Sequence, residues 1–205
     1  MRRAIVVTMT ALFSALSMIL TVLKFEIPYP ILPYLKFDFA EIPTVIAYFI
    51  INPYSGFVCS ILHWFFLMYR SGDILGPSMK FAAVISMLIG FKLTSPLVKK
   101  FYSNPRFNKY YFGICSCVGG LIRIVVMSLF NIVVLLWIAP GYLYFASIVL
   151  QNVLGYLPNS GEALYWTLIF TGVYNGIHVI FSIVPAVLLL GVLRKRFKYL
   201  ENYCS

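Results

Sequence analysis

Apolar runs separated by short polar or proline-bearing breaks set the pattern of this chain. Ala4 to Leu23 is the first run. Glu41 to Ile51 is short and is broken by Asn52-Pro53, and Tyr54 to Tyr69 follows. Pro77 opens a run that reaches Val98, Tyr110 to Ile138 is long enough to tilt, and Leu164 to Leu193 is the last. A bilayer crossing takes about 20 apolar residues, fewer where a segment is sheltered inside a bundle. The pattern predicts an all-α integral membrane protein. It is a bundle of six transmembrane helices with a long first extracellular loop, forming a single transmembrane domain over residues 1–205. Open strands cannot satisfy their backbone in lipid, and no segment alternates as a barrel strand does.

Composition agrees. Of the 205 residues, 61% are hydrophobic and only 11% charged, with a mean hydropathy of +0.91. A soluble domain averages about 25% charged residues, and a chain this short could not hide so much apolar surface in one core. Met1-Arg2-Arg3 before an apolar run resembles a signal peptide. The run is too long, however, and no small-x-small cleavage site follows, so it is read as the first helix.

The net charge of +10 reads as topology. Six spans leave both termini on one side, with Arg2, Arg3, Lys99, Lys100, Arg106, Lys109, Arg194, Lys195, Arg196 and Lys198. The opposite loops dilute Lys24, Lys36, Arg70 and Lys80 with Glu26, Asp38, Asp73 and Glu162. The positive-inside rule puts both termini in the cytoplasm. Nucleic acid is not the expected partner, because these cations flank spans. Cys59, Cys115, Cys117 and Cys204 show neither metal spacing nor a disulfide framework and read as small hydrophobes.

Candidate chemistry gathers in two regions. Between the first two helices, Pro28, Pro30 and Pro33 stiffen a loop that carries Tyr29, Tyr34, Phe37 and Phe39 around Asp38 and Glu41. Such a loop suits a lid over a planar ligand, and it equally suits an interfacial aromatic belt. Further along, Thr171, Asn175, His178 and Ser182 recur at spacings of four, three and four, which puts them on one helical face. Arg123, Met127 and Asn131 share a face of the preceding helix. Polar stripes in lipid must meet protein, water or ligand. Asn131 and Asn175 offer both donors and acceptors to a heterocycle edge, although helix–helix adhesion uses the same residue types. Arg123, nearer the cytoplasmic end, is expected to snorkel or to bond a carbonyl. On the first helix Ala11 and Ala15, with Ser14 between them, make a groove for another helix or for internal packing.

One stretch carries a family resemblance. Tyr34-Leu-Lys-Phe-Asp-Phe-Ala-Glu-Ile-Pro43, an apolar helix and then Asn52-Pro53-Tyr54-Ser55-Gly56 resemble the signature of riboflavin-specific S components of energy-coupling factor (ECF) transporters. Gly72-Asp73, Gly76-Pro77, Phe81, Asn131, Asn175 and Ala11-x-x-x-Ala15 resemble the same family. The resemblance implies a membrane-embedded subunit that captures riboflavin, or a related flavin, from outside. It implies release inward by tipping in the membrane, with a transmembrane coupling subunit and two ATPases as partners. It implies that Phe37, Asp38, Phe39, Asn131 and Asn175 contact substrate and that Ala11 and Ala15 meet the coupling subunit; Tyr34, Lys80 and His178 are further candidate substrate contacts, and Ser14 is a further candidate at the coupling interface. His178, where related sequences often have Lys, and Lys80, where Asn is usual, depart from the pattern and leave FMN or another vitamin conceivable.

An enzyme is not expected. His63 and His178 are the only histidines and begin no H-E-x-x-H motif. Ser182 shares the face of His178 without an orienting acid nearby. No phosphate-binding loop occurs, so any ATPase is another polypeptide. All six acids fall in loops or near helix ends, which favours a binding subunit over a proton-coupled carrier. Neither cofactor nor metal is expected.

Overall fold

A computed structural model describes residues 3–99 and 109–196. The basic residues Arg2, Lys100, Arg106 and Lys198, together with Cys204, lie outside the described residues. Within them the order is α1 (Arg3–Val22), β1 (Glu26–Pro28), β2 (Lys36–Asp38), α2 (Glu41–Ile50), α3 (Pro53–Ser71), α4 (Leu75–Lys99), α5 (Lys109–Val133), a π-helical turn (Val134–Ile138), α6 (Pro140–Leu154) and α7 (Ser160–Arg196). Among the described residues, four stretches are long and apolar enough to cross a bilayer: Arg3–Val22, Leu75–Val98, Tyr110–Ile138 and Ser160–Val192. The chain is therefore a mostly helical, multi-pass membrane protein. Helix α3 has 19 residues but includes Ser55, Ser60, His63 and Arg70.

The structure departs from the sequence reading in two places. Residues 139–163, expected as a connection, contain the 15-residue α6, which is too short to register as a span. The proline-bearing loop is partly a hairpin, with Glu26 opposite Asp38, Ile27 opposite Phe37 and Pro28 opposite Lys36.

Local signals explain the breaks. Asn52 caps α3, its Oδ1 accepting from the Ser55 N–H, and Pro53 occupies the first turn, where its missing N–H costs nothing. Gly72 ends α3 with φ +64°, a left-handed conformation that a side chain would strain. Asn159 and Glu162 exchange side-chain-to-backbone bonds at the start of α7, a reciprocal capping box.

Helix α2 is the hub. All its residues from Glu41 to Phe49 are buried, as expected of a helix apolar around most of its circumference, and it touches α1, α3 and α7. Phe49 stacks on Phe91 of α4 at 5.4 Å and meets Phe112 of α5 edge-on at 5.0 Å. Helices α4 and α5 cross almost in backbone contact: a Cβ added to Gly90 would lie 2.5 Å from the Gly119 Cα. Helix α1 adheres to α3 through a polar ladder. Thr10 donates to Ser55 at 3.0 Å, Ser14 lies 3.3 Å from the Cys59 sulfur, and Thr21 meets His63 Nε2 at 2.8 Å. Spacings of four, seven and eleven residues on α1 keep one face toward the partner.

Candidate functional site

A cavity of about 490 Å³ opens at the end of the bundle where α1 finishes and α4 begins. Helix periodicity builds its walls. Met79 and Ala83 come from α4, Met127 and Asn131 from α5, and Thr167, Thr171, Asn175 and His178 from α7, each set three or four residues apart. The π-helical turn adds Val134 and Leu135, α6 adds Tyr142 and Phe145, and the hairpin side adds Glu26, Tyr34, Lys36 and Asp38. Such turns recur at functional sites because they re-aim side chains. One wall is thus apolar and sulfur-bearing, and the wall from α7 is a column of hydroxyl and amide groups.

A buried ion pair forms the floor. Arg123 and Glu41 are 1% and 0% exposed. Arg123 Nη1 donates to Glu41 Oε2 at 2.8 Å and Nη2 to Oε1 at 3.1 Å, a two-pronged match of guanidinium and carboxylate. Arg123 Nε donates to Asn175 Oδ1 at 3.1 Å, and Nη2 also contacts His178 Nδ1 at 3.1 Å. Because arginine only donates, His178 Nδ1 accepts, so the ring's proton is on Nε2 and the ring is neutral. That Nε2 points to the Asp38 carbonyl at 3.4 Å. Ser182 completes the carboxylate's shell, donating to Glu41 Oε2 at 2.9 Å.

Of the two expectations for Arg123, snorkelling is incorrect, and a carbonyl is met only in the side chain of Asn175. Glu41, from the start of α2, supplies a buried countercharge, so the guanidinium has no need to reach water. Glu41 does begin a helix, as the sequence indicates, yet that helix start is wholly buried.

Polar groups above the floor are only partly paired. Asn175 Nδ2 donates to the Thr171 carbonyl at 2.8 Å, and Asn131 Nδ2 to Thr171 Oγ1 at 3.3 Å. Thr167 Oγ1 is buried and has no hydrogen-bond partner among the described residues, which is costly unless something else meets it. At the mouth, Lys80 is ion-paired with Asp38, and Lys36 with Glu26 at 2.6 Å. Asp73 caps α4, accepting from the Gly76 and Leu75 N–H groups. These bonds hold its carboxyl below the usual carboxylate range.

Of the residues singled out from sequence, Tyr34, Asp38, Lys80, Asn131, Asn175 and His178 line this cavity. Phe37 and Phe39 are not among its lining residues. Phe37 is buried between α7 rings, stacked on Phe181 at 5.1 Å and on Tyr174 at 4.8 Å, and Tyr174 Oη donates to the Lys36 carbonyl at 2.6 Å. Phe39 lies tilted against Phe181 at 6.4 Å. These contacts pin the hairpin to α7. Tyr34 leans on Phe145 of α6 at 5.8 Å and stays partly exposed at the rim. On α1, Ala11 and Ala15 are exposed, whereas Ser14 is turned inward and also donates to the Thr10 carbonyl. Sequence reasoning missed Glu41, Thr167 and Tyr174 as site residues. Thr167, four residues before Thr171, extends the α7 stripe and was within reach of the same periodicity.

Comparisons with known proteins follow the same line. The family model described as "ECF transporter, substrate-specific component" matches residues 6–189. The chain is 33% identical over 132 residues to the riboflavin transporter RibU of Staphylococcus aureus (strain TCH60), and that match spans 62% of this chain and 62% of the curated relative. A solved structure described as that of the S component of a bacterial ECF transporter superposes with a TM-score of 0.69 at 22% identity, covering 96% of this chain and 99% of that one, which is agreement in fold. The matched family consists of transporter components and not of enzymes. The chain belongs to the family of substrate-specific (S) components of ECF transporters.

Proposed function

We propose that this S component captures riboflavin from the outer side of the membrane and delivers it inward with a coupling subunit and two ATPases. The observation that carries the reading is the two-faced cavity beneath the hairpin. A flat isoalloxazine ring needs apolar walls, supplied by Met79, Ala83, Met127 and Leu135. Its pyrimidine-dione edge and ribityl hydroxyls need donors and acceptors, supplied by Asn131, Thr167, Thr171 and Asn175. Small-molecule sites commonly hold about 300–1,000 Å³ and combine an apolar lining with a few convergent polar groups. The relative named as a riboflavin transporter supports the choice of vitamin.

In this reading Tyr34 covers the mouth, Asp38 and Lys80 close one side, and His178 holds the floor. Phe37 and Phe39 keep the hairpin seated and do not contact cargo. Helices α1 to α5 and α7 make six crossings, α6 lies along the outer end, and both termini are cytoplasmic by the positive-inside rule. Ala11 and Ala15, small and exposed on α1, offer a close-approach face to the coupling subunit.

Gentle purification in mild detergent from cells grown with riboflavin tests the reading. A yellow protein with a flavin absorption spectrum is the expected result. A colourless protein carrying a different vitamin would retire riboflavin and leave the family assignment standing.

A further inference from the structure

We propose that one water molecule is built into the bundle between α2, α3 and α4, held by Thr44, Ser60 and His63, and that it ties α1 to α2 through the His63 ring. The inference is independent of what the cargo is.

A separate small cavity of about 10 Å³ lies between these three helices. Thr44 comes from α2, Ser60 and His63 from α3, and Phe81 and Val84 from α4. Such a volume admits about one water, which needs about two to four polar partners to stay. Hydrogen-bond accounting supplies three. Thr44 and His63 are 1% and 4% exposed. Among the described residues the Thr44 hydroxyl has no hydrogen-bond partner, so its proton is available to donate. Ser60 Oγ gives its proton to the Phe57 carbonyl at 2.9 Å and keeps its lone pairs.

For His63 the deciding neighbour is Thr21. Thr21 Oγ1 donates its one proton to the Ser17 carbonyl at 3.0 Å, so toward His63 Nε2, 2.8 Å away, it accepts. The ring proton is therefore on Nε2. No described carboxylate pairs with this ring, and a buried ring without such a partner stays neutral. That leaves Nδ1 as a lone pair with no partner among the described residues. The water's two protons go to His63 Nδ1 and Ser60 Oγ, and its oxygen accepts from Thr44. The other polar groups around the cavity are engaged elsewhere: Glu41 with Arg123 and Ser182, Lys80 with Asp38, and the Trp64 N–H with Ser78 at 3.2 Å. A bridging water of this kind is nearly as good as a direct hydrogen bond. The line runs from the Ser17 carbonyl of α1 through Thr21, His63 and the water to Thr44, three residues after Glu41 and so beside the ionic floor.

Thr44→Val in the purified full chain tests this by denaturant titration in detergent micelles, because valine keeps the shape and removes only the donor. With the water in place, the folded-to-unfolded ratio should fall by about tenfold. A ratio that is unchanged or rises means the hydroxyl was unmet, and overturns the proposal. Ser60→Ala is a second arm. Both changes release the same water, so the double variant should lose well short of the product of the two single losses, and strict multiplication overturns a shared site. A high-resolution structure of the natural chain decides the matter whatever the variants do. One solvent peak within about 3.2 Å of Thr44 Oγ1, Ser60 Oγ and His63 Nδ1 is expected, and a dry or side-chain-filled cavity overturns the proposal.

Discussion

Removing Arg123 gives the sharpest test of how the floor of the cavity is held. In Arg123→Met the flexible side chain fills most of the vacated volume, so packing changes little. Glu41 remains fully buried, with Ser182 at 2.9 Å as its hydroxyl donor and His178 Nε2 at 3.6 Å. Breaking one side of a buried ion pair costs about 3–5 kcal/mol, because the remaining charge has lost both water and partner. The same change strips Asn175 Oδ1 and His178 Nδ1 of their donor. Those losses overlap with the first and do not add to it. At about 4 kcal/mol the folded-to-unfolded ratio falls by roughly a thousandfold. Replacing both partners, as in Glu41→Met with Arg123→Met, removes the stranded charge. A well-packed apolar substitute for a buried pair is often neutral, so the double variant should unfold within about 2 kcal/mol of the natural chain. Denaturant titration of the purified protein in detergent micelles, followed by helical circular dichroism, measures all three. A single variant within about 1 kcal/mol of the natural chain, or a double variant as unstable as the two singles summed, would refute the reasoning.

Other outcomes follow from particular contacts. Gly90→Ala puts a methyl group against the Gly119 backbone, which cannot yield without parting α4 from α5; unfolding should cost about 1–3 kcal/mol, and a cost indistinguishable from zero in the same titration would contradict the close crossing. Thr167→Val keeps the shape and deletes a buried hydroxyl that lacks a partner among the described residues; stability should hold or rise by about 1 kcal/mol while riboflavin affinity, read by calorimetry, drops about tenfold. Ala11→Leu and Ala15→Leu alter exposed positions on α1; riboflavin binding should persist while capture of the coupling subunit in a pull-down is lost, and loss of both would make these residues internal packing.

How much of this was legible depended on whether a feature is periodic or pairwise. Helices α1, α4, α5 and α7 announce themselves because a bilayer demands long apolar runs. The α7 stripe was visible because Thr171, Asn175, His178 and Ser182 obey helical spacing. Helix α6 obeys no span rule, being 15 residues long, and its Tyr142 and Phe145 were lost with it. The Glu41–Arg123 pair was invisible for another reason. The partners lie 82 residues apart, and each alone invites a bland account: an acid at the edge of a loop, and an arginine that reaches toward water. Only the burial of α2 on all sides makes them mutual countercharges. For the loop that carries Phe37 and Phe39, residue type left a lid and an interfacial aromatic belt equally open, because sequence cannot show that the α7 rings of Tyr174 and Phe181 lie against the hairpin. Ser14 likewise sits between two exposed alanines in sequence, yet helical geometry turns it toward Cys59.

The central claim is that the polar face of α7 and α5 grips riboflavin above a sealed ionic floor. Titration of the purified, ligand-free chain with riboflavin, followed by quenching of flavin fluorescence, addresses it most directly. The account expects one flavin per chain with a sub-micromolar Kd, about −8 kcal/mol or tighter, and a weakening of about ten- to a hundredfold in Asn131→Leu. Quenching that does not saturate at one equivalent, or an Asn131→Leu variant that binds as tightly as the natural chain, would contradict it.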